Sequence, residues 1–124
     1  TPTGIHCLDP VGYLDFMSLV ANARIVLTDS GGLQEETTVL GVPCLTLREN
    51  TERPVTVTHG TNRIIGASPE KIVSESMRVL DAPMQPHVPP PLWDGHAAER
   101  IVGILVDRLR HRDSSATRSG PVRA

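Results

Sequence analysis

The sequence predicts an α/β layer built on a parallel sheet. Two short apolar stretches, residues 25–27 and 42–47, and a third short stretch, 61–65, each lead into a segment with helical spacing. The first stretch, 25–27, is an apolar run rather than an apolar/polar alternation, as expected of a strand covered on both faces. Strands that alternate with helices give a parallel sheet. Three strands are fewer than a nucleotide-binding domain of this type usually has, so the expectation is the C-terminal part of such a domain.

The elements follow in order. Residues 10–23 carry Leu14, Met17, Val20 and Ala21, with Phe16 and Leu19 beside them, a spacing that predicts a helix with one broad buried face. The first strand is Ile25, Val26, Leu27. Leu33, Thr37 and Leu40 then fall at i, i+4 and i+7, a helix stripe, and Gly41 suits the helix stop. Pro43 is tolerable only because it is near the start of the second strand, 42–47. Residues 48–51 are polar and form a loop. Pro54 suits the first turn of a short helix closed by Gly60. The third strand, 61–65, ends at Gly66.

Ser68-Pro69-Glu70 is a helix start: an N-cap, a proline at the first position and an acid in the first turn. Ile72, Val73, Met77 and Leu80 continue it as an amphipathic helix. Residues 81–93 are proline-rich, with Pro89-Pro90-Pro91, and should run extended over the surface. Asp94-Gly95 marks a turn before a last helix over 96–109. The expected organisation is one α/β segment, 1–110, followed by a disordered tail, 111–124, rich in Ser, Arg, Gly and Pro.

Bulk properties narrow the function. With 124 residues, 39% of them apolar, the chain can bury a modest, mainly aliphatic core; its aromatic residues are Tyr13, Phe16 and Trp93. A net charge of −2 argues against nucleic acid as a partner. No run of 18 apolar residues occurs, and the first residues lack the basic start and apolar stretch of a signal peptide. The chain starts with Thr1 rather than Met, so an origin inside a longer protein or after processing is expected. Cys7 and Cys44 have no partner at ligand spacing, and the five histidines form no metal motif. The expected setting is therefore cytoplasmic, with reduced thiols and no metal.

The stretch Thr28-Asp29-Ser30-Gly31-Gly32-Leu33-Gln34-Glu35-Glu36 carries the chemistry. A helix that starts at two glycines presents backbone N–H groups and a positive dipole end to an anion. Ser30, Gly31 and Gly32 are the candidate seat; the alternative is an ordinary turn with Ser30 as N-cap. Glu36 shares a face with Gly32, one turn below the seat, where it could accept hydrogen bonds from ribose hydroxyls. Glu35 points elsewhere, as a solvated or interdomain charge. Arg53 sits in a loop at a strand's carboxyl end and could neutralise diphosphate charge; the alternative is a surface pair with Glu49 or Glu52. Phe16, on spacing alone, is a core residue.

Several segments resemble the non-hydrolysing UDP-N-acetylglucosamine 2-epimerases of bacteria in order and spacing. They are Ser30-Gly31-Gly32-Leu33-Gln34-Glu35-Glu36, Leu40-Gly41-Val42-Pro43, Leu47-Arg48, Thr51-Glu52-Arg53-Pro54, Gly60-Thr61 and Ile65-Gly66. Asp94-Gly95 followed by Ala97, Glu99, Arg100 and Ile101 looks like that family's closing helix. The likeness covers about residues 9 to 106. It implies a Rossmann-like layer, part of the C-terminal domain of a glycosyltransferase-B-type fold. It assigns the diphosphate to Ser30, Gly31 and Gly32, the ribose to Glu36, the substrate's diphosphate region to Arg53 and the uracil end to Phe16. The implied reaction eliminates UDP from UDP-GlcNAc and adds it back to give UDP-ManNAc, with no cofactor. The family's acid/base carboxylates and histidine lie upstream of the matching region, so no catalytic residue is assigned and the isolated chain is expected to be inactive. The implied partners are a UDP-sugar and the missing N-terminal domain, with a homodimer left open. Val55, Thr37-Thr38-Val39 and Val11-Gly12 depart from the family pattern and bear on fine substrate contacts. Two other readings share the seat: the donor-binding half of a glycosyltransferase-B transferase, and a non-catalytic UDP-binding remnant.

Overall fold

A computed structural model describes residues 3–83 and 86–116, without the side chains of 113–116. The chain forms two compact units, Thr1–Pro90 and Pro91–Ala124. The first contains α1 (Tyr13–Ala21), β1 (Val26–Thr28), α2 (Gly31–Leu40), β2 (Cys44–Thr46), α3 (Pro54–Thr58), β3 (Asn62–Ile64) and α4 (Pro69–Asp81). The second contains α5 (Ala97–Ala116).

The sheet has the order β1-β2-β3 and both pairings are parallel, with Leu27 opposite Leu45 and Leu45 opposite Arg63. Its strands are shorter than the apolar runs suggest. Flanking hydrogen bonds extend the pairing: Val26 N–H donates to the Pro43 carbonyl (2.8 Å), Leu47 N–H to Thr28 (2.9 Å) and Ile65 N–H to Thr46 (3.0 Å). Pro43 therefore precedes β2 and contributes a carbonyl, which a proline can do, while its missing N–H costs nothing there.

The central strand β2 is fully buried, with Leu45 at 0% exposure. Around it the apolar core is small: Val20, Val42, Cys44 and Ile65. Burial pushes the Cys44 thiol pKa up, against hydrogen bonds with Thr37 and Thr46. Much of the interior is polar, with Gln34, Thr37, Thr38, Thr46, Thr56 and Asn62 all buried.

Three helix faces differ from the sequence pattern. Helix α1 buries only Val20, and Leu14 is 81% exposed, so its apolar surface is unpartnered within the described residues. Helix α2 turns Gln34, Thr37 and Thr38 inward and leaves Leu40 exposed; Gln34 Oε1 finds donors across the interior and the Thr37 hydroxyl bonds back to its own helix. Helix α4 half-buries Ile72, Ser76 and Val79 and exposes Val73, Met77 and Leu80, the parallel stripe one residue on. Its start is as read: the Ser68 hydroxyl accepts from Lys71 N–H (3.4 Å), with Pro69 in the first turn.

In the second unit a turn at Pro91 and Leu92 precedes a bend at Asp94 and Gly95. Asp94 accepts from His96 N–H (3.0 Å) and pairs with Arg100. The hydrogen bond from Arg100 comes first among the causes that hold the Asp94 carboxyl below its usual pKa. Helix α5 continues to Ala116, so residues 111–116 of the expected disordered tail are helical. Residues 117–124, and 84–85 within the expected extended stretch, lie outside the described residues.

Gly60 follows α3 at a point of close backbone approach. A Cβ there would overlap the Thr56 carbonyl and the Thr38 side chain, and a carbonyl cannot swing away as a side-chain tip can. We therefore expect Gly60→Ala to lower the unfolding free energy by roughly 1–3 kcal/mol, as overpacking does. Urea denaturation followed by circular dichroism checks this; a loss below a few tenths would show that the segment relaxes freely.

Candidate functional site

In an open parallel sheet the carboxyl ends of the strands carry the loops that bind ligands. Here β1 ends at Thr28, whose hydroxyl accepts from Ser30 N–H (3.0 Å) and sets the turn into α2. Ser30 occupies the N-cap position in an extended conformation (φ −78°, ψ 129°), yet its hydroxyl makes no capping bond. The first N–H groups of α2 are thus not taken up by a Ser30 cap, and Gly31 and Gly32 present them without side chains. The side-chain bond of an ordinary Ser N-cap is absent here.

The loop after β2 faces this turn. An ideal Cβ on Gly31 would stand 3.2 Å from Glu52 Oε1, so a carboxylate already lies against the helix start. Glu52 is held below the usual carboxylate range by its own backbone N–H and next by Arg48, 3.1 Å away. An anionic group at the N-terminus of α2, backed by a guanidinium, is the chemistry the helix dipole favours.

Arg53 lies at the N-cap of α3 and pairs with Glu35 at 3.3 Å, with the side chains 45% and 41% exposed. Its ion-pair partner is therefore neither Glu49 nor Glu52, and Glu35 is not simply solvated. The pair ties the Arg53 loop to α2, the helix that begins at Ser30. Glu36 is half-buried on the same helix. Phe16 is 37% exposed on α1, which packs against α2, so it is not a core residue. The structure brings Ser30, Gly31, Gly32, Arg53 and Arg48 to one end of the sheet.

Beneath these groups lies a hydrogen-bond network absent from the sequence reading. Buried Gln34 accepts through Oε1 from the Thr51 hydroxyl (2.6 Å) and from Asn62 Nδ2 (3.1 Å). Asn62 Nδ2 also donates to Thr56 Oγ1 (3.0 Å), and Asn62 Oδ1 accepts from Thr46 Oγ1 (2.5 Å). The Thr56 hydroxyl donates to the Arg53 carbonyl (2.7 Å), and Arg53 N–H donates to Thr51 Oγ1 (2.9 Å). Arg48 and this network are the components that sequence reasoning missed. A signal existed: Gln34, Thr37 and Thr38 on one helix, and Thr46 inside an apolar strand, put polar residues where a core is expected.

A cavity of about 680 Å³ opens elsewhere, among residues that include Arg24, Gly41, Cys44, Thr61, Arg63 and His87. It lies toward the amino ends of the strands and includes none of the predicted site residues. Neither described unit has a group of His, Cys, Asp and Glu able to hold a metal ion, among the described residues.

The sequence model of the UDP-N-acetylglucosamine 2-epimerase family matches residues 1–106. A UDP-N-acetylglucosamine 2-epimerase of Methanococcus maripaludis is 46% identical over 101 residues, 82% of this chain and 27% of that protein. The corresponding protein of Escherichia coli K12 is 43% identical over 104 residues, 79% of this chain and 27% of its own length. Among solved structures, the Methanocaldococcus jannaschii UDP-GlcNAc 2-epimerase in complex with UDP-GlcNAc and UDP superposes with a TM-score of 0.69 at 46% identity, over 80% of this chain and 27% of that one. The Neisseria meningitidis UDP-GlcNAc 2-epimerase bound to UDP-GlcNAc gives 0.74 at 35% identity, over 82% and 29%. The chain thus spans about a quarter of the length of the relatives it matches.

Proposed function

The chain belongs to the UDP-N-acetylglucosamine 2-epimerase family, and on that footing we propose that it forms the UDP-binding C-terminal part of such an enzyme. The whole enzyme would interconvert UDP-GlcNAc and UDP-ManNAc by eliminating UDP and adding it back. In this reading the N–H groups of Gly31 and Gly32 and the Ser30 hydroxyl hold the diphosphate. Arg53 neutralises its charge, Glu36 takes the ribose hydroxyls and Phe16 meets the uracil. The carrying observation is the α2 start, where the Ser30 hydroxyl makes no cap and Gly31 and Gly32 leave the first N–H groups without side chains over them.

The chemistry divides accordingly. Loss of UDP from the sugar needs a base near C2 and electrostatic help for the departing diphosphate. The residues at the α2 start offer the second. The base belongs to a part of the enzyme outside the matched quarter, so the chain alone is proposed to bind without turning over. A cytoplasmic setting is part of the proposal; Cys7 and Cys44 are both free thiols, and no helix among the described residues is long and apolar enough to cross a membrane.

Arg53→Met tests this reading. The pair with Glu35 is half-exposed, so its loss should leave folding almost unchanged. A guanidinium–diphosphate contact is worth on the order of 1.5–3 kcal/mol, roughly 10- to 150-fold in affinity. Calorimetric titration of UDP into the chain should show a loss of that size. Unchanged affinity would leave Arg53 as a surface charge and remove the diphosphate assignment.

A further inference from the structure

The Arg53 loop is held from below by groups that touch no predicted ligand. The Thr51 hydroxyl donates to Gln34 Oε1 (2.6 Å) on α2 and accepts from Arg53 N–H (2.9 Å). The Arg53 carbonyl is held as well, by the Thr56 hydroxyl (2.7 Å) and Thr56 N–H (3.0 Å). Both holds converge on the same buried amide, since Asn62 Nδ2 donates to Gln34 Oε1 and to Thr56 Oγ1. Gln34 belongs to the helix that begins at the Ser30 turn. One chain of hydrogen bonds therefore runs from the Gln34 side chain, on the helix that begins at the Ser30 turn, to both backbone polar groups of Arg53.

From this geometry we propose that Thr51 is a positioning residue for nucleotide binding. Its hydroxyl, clamped by Gln34, fixes the backbone of Arg53 relative to the start of α2, so that the guanidinium is aimed before the ligand arrives. This rests on the UDP-binding reading above. Preorganisation explains why a hydroxyl is used. A flexible loop would have to be ordered on binding, and that ordering subtracts from affinity. The network orders it in advance, using donors and acceptors already buried against the sheet. It also accounts for the side chains of Gln34 and Asn62, which stand buried where apolar residues would fill the same space.

Thr51→Val keeps the shape and removes the hydroxyl; Thr51→Ser restores the hydroxyl. Two measurements on the full 124-residue chain decide the matter. First, UDP is titrated into wild type, Thr51→Val, Thr51→Ser, Arg53→Met and the double variant Thr51→Val/Arg53→Met. Thr51→Val should weaken UDP by about tenfold, and Thr51→Ser by less than about twofold. The double variant should bind about as Arg53→Met alone, because the hydroxyl acts through that side chain. Wild-type affinity for Thr51→Val, or losses that multiply in the double variant, would overturn the proposal. Second, backbone amide exchange is followed without nucleotide. The Arg53 amide should exchange about tenfold faster in Thr51→Val, with the Leu45 and Thr46 amides unchanged, and Thr51→Ser should restore it. If wild type fails to bind UDP, the nucleotide reading falls, and the exchange arm alone judges the positioning. An unchanged Arg53 amide in Thr51→Val overturns it.

Discussion

Asn62→Leu is expected to lower the unfolding free energy by about 3–5 kcal/mol, a large fraction of the roughly 5–15 kcal/mol that a domain has. Asn62 is 3% exposed and serves three partners, Thr46, Gln34 and Thr56, at 2.5–3.1 Å. Leucine has nearly the same shape, so packing is kept while every one of those bonds is lost. The Thr46 hydroxyl would lose its acceptor, and the oxygens of Gln34 and Thr56 would each lose a donor. A buried group left without its partner costs about 1–3 kcal/mol, and water cannot readily enter to replace it. The extra apolar atoms recover only part of this. Urea denaturation at 25 °C, followed by circular dichroism, measures the change in midpoint and slope. A loss under about 1 kcal/mol would mean that the polar interior is incidental.

Gly31→Val is expected to cost binding rather than folding. UDP affinity in the chain should fall by about 100-fold or more, since two charge-assisted hydrogen bonds at about 1.5 kcal/mol each are put at risk. The branched side chain would stand where the diphosphate approaches the backbone. It would also press on Glu52, whose Oε1 lies 3.2 Å from the Cβ position, but that carboxylate ends an exposed side chain and can yield. Gly31 has no left-handed φ, so valine fits its backbone. Calorimetric titration of UDP, beside a denaturation curve on the same sample, separates the two effects. Unchanged affinity in a folded variant would show that the turn serves structure alone.

The polar interior changes how the motif at the α2 start is understood. Gln34 lies between Ser30-Gly31-Gly32 and Glu35-Glu36 and is the most buried of those charged and polar residues, at 0% exposure. Its neighbour Glu35 pairs with Arg53 while it joins the Arg53 loop to β3 through Asn62. A stretch that reads as a binding motif thus also contains part of its own support.

Local chemistry made the parallel α/β layer legible. Two apolar runs and a third short strand separated by helix patterns admit few other arrangements, and Gly41, Pro54 and Ser68-Pro69 mark helix ends through backbone geometry alone. The Ser30 turn and the Arg53 loop were legible for the same reason, since both stand at carboxyl ends of strands. Which helix face turns inward was not legible. For α2 the buried side is Gln34, Thr37 and Thr38 rather than the stripe through Leu40, because burial is decided by partners that come from distant positions. Gln34 and Asn62 are 28 residues apart, and the pairing of β2 with β3 and the packing of α2 and α3 bring Thr46, Asn62, Thr56 and Gln34 to one place. The ion-pair partner of Arg53 was settled in the same way, by the packing of its loop on α2. Sequence alone determined the order of elements and which loops stand at the carboxyl ends of the strands, since these follow from short-range backbone preferences. Tertiary structure decided which polar side chains meet inside, because a buried hydrogen bond needs both partners in place and no local pattern specifies the second.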